Sequence, residues 1–172
     1  MLVNLSGATY QEKSILSNLM QIYLYDLSTT STLEIDDTGQ FPYPYLDDYW
    51  SDKGRFPYLV RLDRDLAGFA LLKRGAYFPG QVDNDGCGMQ VAEFFVMKGY
   101  RRQGVGTQAA INLFDRFPGR WEIAQEANNH SGQSFWRKLI GDFCGGGYDE
   151  NLLKNEHWYG PVQVFNNSTV LG

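Results

Sequence analysis

The stretch Gly99 to Gly106, GYRRQGVG, sets two adjacent arginines and three glycines in a chain whose formal net charge is -5. Arginine stays protonated and presents N–H donors in a fixed fork, while glycine lets backbone N–H groups approach a ligand with no side chain between them. Such a stretch suits an anion, and three phosphate-binding patterns compete for it. A Walker A loop needs Lys after its second constant glycine, but Gly104 is followed by Val105, Gly106 and Thr107, so that pattern fails. A dinucleotide fingerprint, G-x-G-x-x-A, is met by Gly104, Gly106 and Ala109, with Glu126 near the expected acidic position. Against it, Met97 to Gln103 intervene between the strand and the first glycine, where a tight turn is wanted. The chain left after Glu126 is also too short for further βαβ units. The third pattern takes the arginine in: Arg101-x-x-Gly104-x-Gly106 follows a strand and opens a helix, whose first turn supplies unpaired N–H groups and the positive end of the dipole.

Other residues offer proton chemistry. Glu93 stands in the apolar run MQVAEFFVM, on the same face as Phe95 and opposite Phe94 and Val96. A carboxylate there is costly to bury without a role, and it reads either as a general base or as a salt-bridged or rim residue. His130 and His157 are the only histidines and neither has metal-ligand spacing, so no metal site is expected. No Ser-His-Asp arrangement is evident. Cys87 and Cys144 lie in unlike contexts without C-x-x-C and read as free thiols. Asp36, Asp37, Asp47, Asp48 and Asp52 stand among Phe41, Tyr43, Tyr45, Tyr49 and Trp50. This group is either a solvated loop anchored by packed aromatics or a surface that receives a cationic amine through charge and cation–π contact.

The elements that must position these residues follow from periodicity. A short strand is expected at 2–5. A helix follows Thr9 as N-cap, with Ile15, Leu16, Leu19, Met20, Tyr23 and Leu24 at three- and four-residue spacings. Residues 27–50, rich in Ser, Thr, Asp and Pro, read as loop with a short helical turn at most. Strands are expected at 58–62 and 67–74, joined through DRDL as an antiparallel pair, then a loop and a strand at 89–97. Val105, Ala109, Leu113 and Phe117 mark a helix ended by Pro118 and Gly119. A strand at 121–125, a helix at 131–140, a glycine-rich loop and a late strand at 161–165 complete the chain.

The 172 residues suit one domain. With 43% hydrophobic, 15% aromatic and 20% charged residues the chain has the makings of a packed core. Neither a signal peptide nor a membrane span is visible, and a cytoplasmic location is expected. A pI near 4.9 argues against nucleic-acid binding, which favours a basic face.

The stretch AEFFVMKGYRRQGVGTQAA closely resembles motif A of the GCN5-related N-acetyltransferases (GNAT), where the loop holds the pyrophosphate of acetyl-coenzyme A. Downstream, NNHSGQSFWRKLIGDF is similar to the family's N-x-x-A-x-x-F-Y-x-K-x-G-F region, with Asn129, Phe135, Lys138 and Phe143 in corresponding places. The resemblance covers roughly Met89 to Phe143, while the first half matches only in element order. The segments FPYPYLDDYW and GRFPYLVR are also similar to those of a small bacterial branch of predicted acetyltransferases. There are departures. Gly132 replaces an alanine, Gly141-Asp142-Phe143 lengthens the G-F spacing, and Trp136 stands where many relatives carry the tyrosine that protonates the departing thiolate.

The resemblance implies one α/β domain over 1–172, with a mixed, mostly antiparallel sheet split between its fourth and fifth strands and flanked by helices. It also implies an acceptor-shaping half over about 1–88 and an acetyl-coenzyme A half over about 89–172. It assigns cofactor contacts to Phe95, Val96, Met97, Arg101, Arg102, Gln103, Gly104, Val105, Gly106, Thr107, Asn129, Phe135 and Trp136. Glu93 would be the base, and Tyr45, Asp47 and Asp48 would meet the acceptor. The implied reaction moves an acetyl group from acetyl-coenzyme A to a primary amine of a small molecule or peptide by direct attack, the amine being cationic if the acidic stretch faces it. The alternative is a noncatalytic acyl-coenzyme A binding or sensor module. No metal, nucleic acid or membrane partner is expected, and the chain would act as a monomer or homodimer.

Overall fold

Thr9 starts the first helical segment, as its position before the apolar stripe predicts. Its backbone N–H and its hydroxyl both donate to the Glu12 carboxylate, at 2.9 and 3.0 Å. The turn closed in this way, Tyr10–Glu12, runs into α1, Lys13–Leu27, whose Leu16, Leu19, Met20 and Leu24 are buried. The computed structural model describes residues 2–78, 88–156 and 158–168, so Cys87 and His157 lie outside the described residues. Its strands are β1 (Val3–Gly7), β2 (Arg55–Leu62), β3 (Asp65–Arg74), β4 (Met89–Val96), β5 (Arg120–Ala124), β6 (Asp149–Lys154) and β7 (Tyr159–Asn166). The remaining helices are α2 (Asp48–Ser51), α3 (Val105–Arg116) and α4 (His130–Phe143).

The seven strands form one mixed sheet in the order β1-β2-β3-β4-β5-β7-β6. β1 lies antiparallel to β2, from Val3↔Leu62 to Gly7↔Tyr58. β7 lies antiparallel to both β5 and β6. β4 and β5 run parallel and pair at Met89↔Trp121 and Gln90↔Glu122, at the start of both strands. This is the mixed sheet with helices that was expected. The β2–β3 connection is tighter than DRDL suggests. It is a turn at Asp63 and Arg64, with Asp63 at φ 55°, a left-handed conformation that Asp tolerates better than most side chains.

The domain gathers into two compact units, each drawing on two stretches of chain: Met1–Leu71 with Glu93–Ala109, and Leu72–Ala92 with Ala110–Gly172. The start of β4 belongs to the second unit and its end to the first. The first unit is filled by the apolar stripe of α1 with Leu59, Val60, Phe69, Ala70, Leu71 and Phe95, all buried. The second is built around Phe114 of α3, whose ring meets Trp121 at 4.9 Å, Phe165 at 5.0 Å and Phe143 at 5.1 Å between centroids.

Candidate functional site

In the first unit, β4 carries Glu93 and leads through a 3-10 turn, Lys98–Tyr100, to the glycine-rich stretch. Arg102 (φ 60°) and Gly104 (φ 79°) put left-handed kinks on both sides of Gln103, whose amide Nε2 donates to the Gly99 carbonyl at 2.8 Å. A Cβ on Gly104 would meet nothing within 4 Å, so the backbone angle rather than space asks for glycine there. α3 then opens at Val105, and the Gln108 N–H reaches back to the Gly104 carbonyl at 2.9 Å. The amides of Val105, Gly106 and Thr107 precede that bond and have no acceptor within the helix. With the positive end of the helix dipole they make a turn fitted to a doubly charged anion.

The two arginines of this turn have separate fates. Arg101 folds back: its Nε donates to the Val96 carbonyl at 2.7 Å, its Nη2 meets the Asp26 carboxylate of α1 at 2.5 Å, and its guanidinium lies 5.7 Å from the Phe95 ring centre. Lys98 joins the same carboxylate at 3.2 Å. Burial works to raise the Asp26 pKa, but hydrogen bonds from Arg101 and Lys98 outweigh it and hold the group below its usual value. Arg102 is exposed and has no such partner among the described residues.

The Glu93 carboxylate accepts hydrogen bonds from two tyrosines, Tyr23 of α1 at 2.7 Å and Tyr43 at 3.2 Å. Tyr23 also packs its ring against Phe69 and Phe95, at 5.7 Å from each. Burial and the charge of Glu93 push the Tyr43 pKa far above its ordinary value, so its hydroxyl stays a donor. Tyr49, buried in α2, is pushed up to about 12 by the same two causes. Its hydroxyl makes no hydrogen bond of ordinary geometry among the described residues, although Tyr43 and Arg55 lie close enough to interact with it. The segment that delivers Tyr43 is strapped in place. Gln21 bonds both the N–H and the carbonyl of Phe41, at 2.8 and 3.0 Å, and the Trp50 indole donates to the Ala8 carbonyl at 3.0 Å.

Several expected residues are placed differently. Met97 donates its N–H to the Ala67 carbonyl in β3 at 2.9 Å, so that amide is not left for a cofactor. Phe95 likewise faces β3, where its carbonyl crowds Gly68, which by alternation turns the Val96 amide to the opposite edge of β4. Asp47 pairs with Lys13 at 2.5 Å, and Asp48 and Asp52 both lie beside Arg55. These acids already hold protein cations, while Tyr45 stands exposed with its ring edge-on to Tyr43 at 5.9 Å. Sequence reasoning singled out Glu93 but passed over its partners. Tyr23 sits within the apolar stripe of α1 and reads as core, and Tyr43 is one of five aromatics in the stretch FPYPYLDDYW.

In the second unit, Asn129 caps α4. Its Oδ1 accepts from the Gly132 N–H at 2.9 Å. A Cβ at position 132 would come within 2.6 Å of the Asn129 amide nitrogen, which gives a local reason for glycine where the family pattern has alanine. Trp136 is buried beside Leu139 and Ile140, with Phe135 edge-on to it at 5.0 Å. Gln133 fixes the turn after β5 by donating to the carbonyls of Glu126 and Ala127, at 2.9 and 3.0 Å. Among the described residues no three His, Cys, Asp or Glu side chains gather to hold a metal, and no helix is long and apolar enough to cross a membrane.

The profile of the Acetyltransferase (GNAT) family matches residues 22–141. The chain belongs to that family. It is an acyltransferase by that membership, and the match includes Tyr23, Tyr43, Glu93, the Arg101–Thr107 turn and most of α4. Among solved structures, AAC(6')-Ib in complex with paromomycin and acetyl-coenzyme A is similar to this GNAT chain at 12% identity. That alignment has a TM-score of 0.69 and covers 99% of this chain and 96% of the other. An acetyltransferase from Thermus thermophilus is 13% identical with a TM-score of 0.65, covering 96% and 97%. The PaiA N-acetyltransferase from Thermoplasma acidophilum, in complex with coenzyme A, is 10% identical with a TM-score of 0.62, covering 96% and 99%. At these identities the likeness establishes the fold. A search of curated proteins finds no match.

Proposed function

We propose that this GNAT enzyme moves an acetyl group from acetyl-coenzyme A to the primary amine of a small molecule or peptide by direct attack, with Glu93 as the base. The observation that carries the reading is the Glu93 carboxylate, held by the hydroxyls of Tyr23 and Tyr43 on the strand that runs into the anion-binding turn. The amides of Val105, Gly106 and Thr107, with Arg102, would take the diphosphate of the acyl donor. The Val96 amide, on the edge of β4 turned away from β3, is the main-chain donor best placed for its pantetheine arm. Asn129, Phe135 and Trp136 remain cofactor contacts in this proposal on family resemblance alone.

An alkylammonium has a pKa of about 10.4, so the acceptor arrives protonated and must lose a proton before its nitrogen can attack. Glu93 accepts that proton directly or through water. The acceptor nitrogen then forms the new N–C bond as the C–S bond breaks and gives up its second proton to solvent, while the departing thiolate takes a proton from solvent, since Trp136 offers no acidic hydroxyl. A cationic acceptor suits a site whose carboxylate is flanked by the rings of Tyr23 and Tyr43. Asp47 and Asp48, already paired, would contribute less to that preference than their sequence position suggests. The proposal includes a cytoplasmic location and action as a monomer or homodimer.

Thiol release measured with acetyl-coenzyme A and a panel of cationic, neutral and acidic amines tests the reaction. Glu93→Gln should lower turnover by about 10²- to 10⁴-fold near neutral pH, with coenzyme A affinity little changed. A fall of less than about tenfold would leave Glu93 a structural residue. Coenzyme A binding without thiol release from any amine would turn the reading to a noncatalytic acyl-coenzyme A module.

A further inference from the structure

A negatively charged side chain beside an anion-binding turn works against the anion, yet Asp26 stands there, within hydrogen-bond distance of Arg101. Three contacts explain its presence. Arg101 is held at both ends, by the Val96 carbonyl at 2.7 Å and by Asp26 at 2.5 Å, with its guanidinium over Phe95. Lys98, at the start of the turn, meets the same carboxylate at 3.2 Å. One helical turn earlier on α1, Tyr23 bonds Glu93 at 2.7 Å. Residues three apart share a helix face, so the last turn of α1 grips both the carboxylate of β4 and the turn that follows it.

We propose that Asp26 is a positioning residue for the anion-binding turn: it fixes Arg101 as a strut between α1 and the end of β4, and Arg102 is the arginine that meets the anion. The proposal rests on the reading that this turn takes the diphosphate of acetyl-coenzyme A. The chain requires such a strut because Arg102 and Gly104 both sit at left-handed backbone angles, and Arg102, lacking glycine's freedom, keeps that conformation only where its neighbours impose it. Two other features of the molecule do not compete with this one. The cavity of about 460 Å³ beside Arg120 and Gly146 is bordered by an arginine already committed to Glu122. The smaller cavity, beside Glu126 and Trp158, shows nothing that selects an occupant.

The sign of one substitution separates positioning from simple electrostatics. Asp26→Asn removes a negative charge near the anion. If Asp26 acts only through its charge, coenzyme A should bind more tightly. If it positions the turn, the dissociation constant measured by calorimetry should rise by about tenfold, the loss of one charge-assisted hydrogen bond. Arg101→Ala should weaken binding by a similar factor, and the double variant should be no worse than either alone, because both remove the same strut. Asp26→Glu should recover most of the affinity. Arg102→Ala should weaken binding and flatten its dependence on salt, whereas Arg101→Ala should leave that slope unchanged.

A second readout needs no ligand. In the free protein, hydrogen exchange at the amides of Tyr100, Arg101 and Gln108, which bond carbonyls around the turn, should speed up in Asp26→Asn while the amides of β2 and β3 keep their protection. Unchanged or tighter coenzyme A binding in Asp26→Asn would overturn the proposal, as would unchanged exchange in the turn. If the wild-type protein bound no coenzyme A, the functional reading would fall, and the exchange experiment alone would still decide the strut.

Discussion

Tyr49 buries a hydroxyl beside Tyr43, and nothing among the described residues satisfies it. A buried polar group without a partner costs about 1 to 3 kcal/mol, so removing it should help rather than harm. Tyr49→Phe keeps the ring under the Arg55 guanidinium, 5.4 Å from its centre, and deletes only the oxygen. Its unfolding free energy in urea at pH 7 should rise by about 1 kcal/mol. The pH dependence has a definite sign. The folded-state pKa of Tyr49 is raised to about 12, so its contribution is fully present below the unfolded value near about 10 and is lost as pH climbs through 12. The variant should therefore show a shallower alkaline limb. A loss of stability at neutral pH would mean that this hydroxyl has a partner in solution.

At the scale of elements, the placing of Glu93 depends on how closely β3 and β4 approach. A Cβ on Gly68 would lie 2.0 Å from the Phe95 carbonyl oxygen and 3.1 Å from the Val96 Cα, both backbone atoms of the strand that carries Glu93. Gly68→Ala should thus force the strands apart, costing about 3 kcal/mol or more and loosening the turn after β4. A melting temperature within a degree or two of wild type would show that the sheet accommodates the methyl group. Nothing in the sequence marks Gly68 for this role. What periodicity does reveal are elements with one buried face: α1, β4, α3, β5 and α4 lie within a few residues of where their apolar spacing puts them. β6 escapes because it is an edge strand, mostly exposed, with Leu152 turned to solvent and no alternation to read. The site divides in the same way. Gly104, Gly106 and Glu93 are legible because their residue types are costly or unusual where they stand. The opposed fates of Arg101 and Arg102 are not, because they hinge on Asp26, distant in sequence and unremarkable within α1.

At the scale of the whole molecule, 20 acidic residues against 15 basic ones give an anionic surface, yet several of these acids are tied into specific pairs. Asp26 is held low by Arg101 and Lys98 against the effect of burial, and Glu150 is held low chiefly by its hydrogen bond from Arg137, with burial opposing and Gln163 helping. The two sit in different units of the domain, so their contributions should be separable. A carboxyl whose folded pKa lies below its unfolded one adds stability that is present above the unfolded value, near about 4, and is lost as pH falls through the folded value. Both pairs are partly solvated, so each should contribute about 1 kcal/mol or less, and less at high salt. Protonating the carboxylates also turns the net charge positive, and self-repulsion adds to the loss. Urea unfolding between pH 7 and pH 3 should therefore give a flat stability down to about pH 5 and a fall below pH 4. Asp26→Asn and Glu150→Gln should each lower the plateau and make that fall shallower, and their effects should add. If both variants kept the wild-type slope below pH 4, the acid sensitivity would come from general charge repulsion, and these pairs would have no individual share in it.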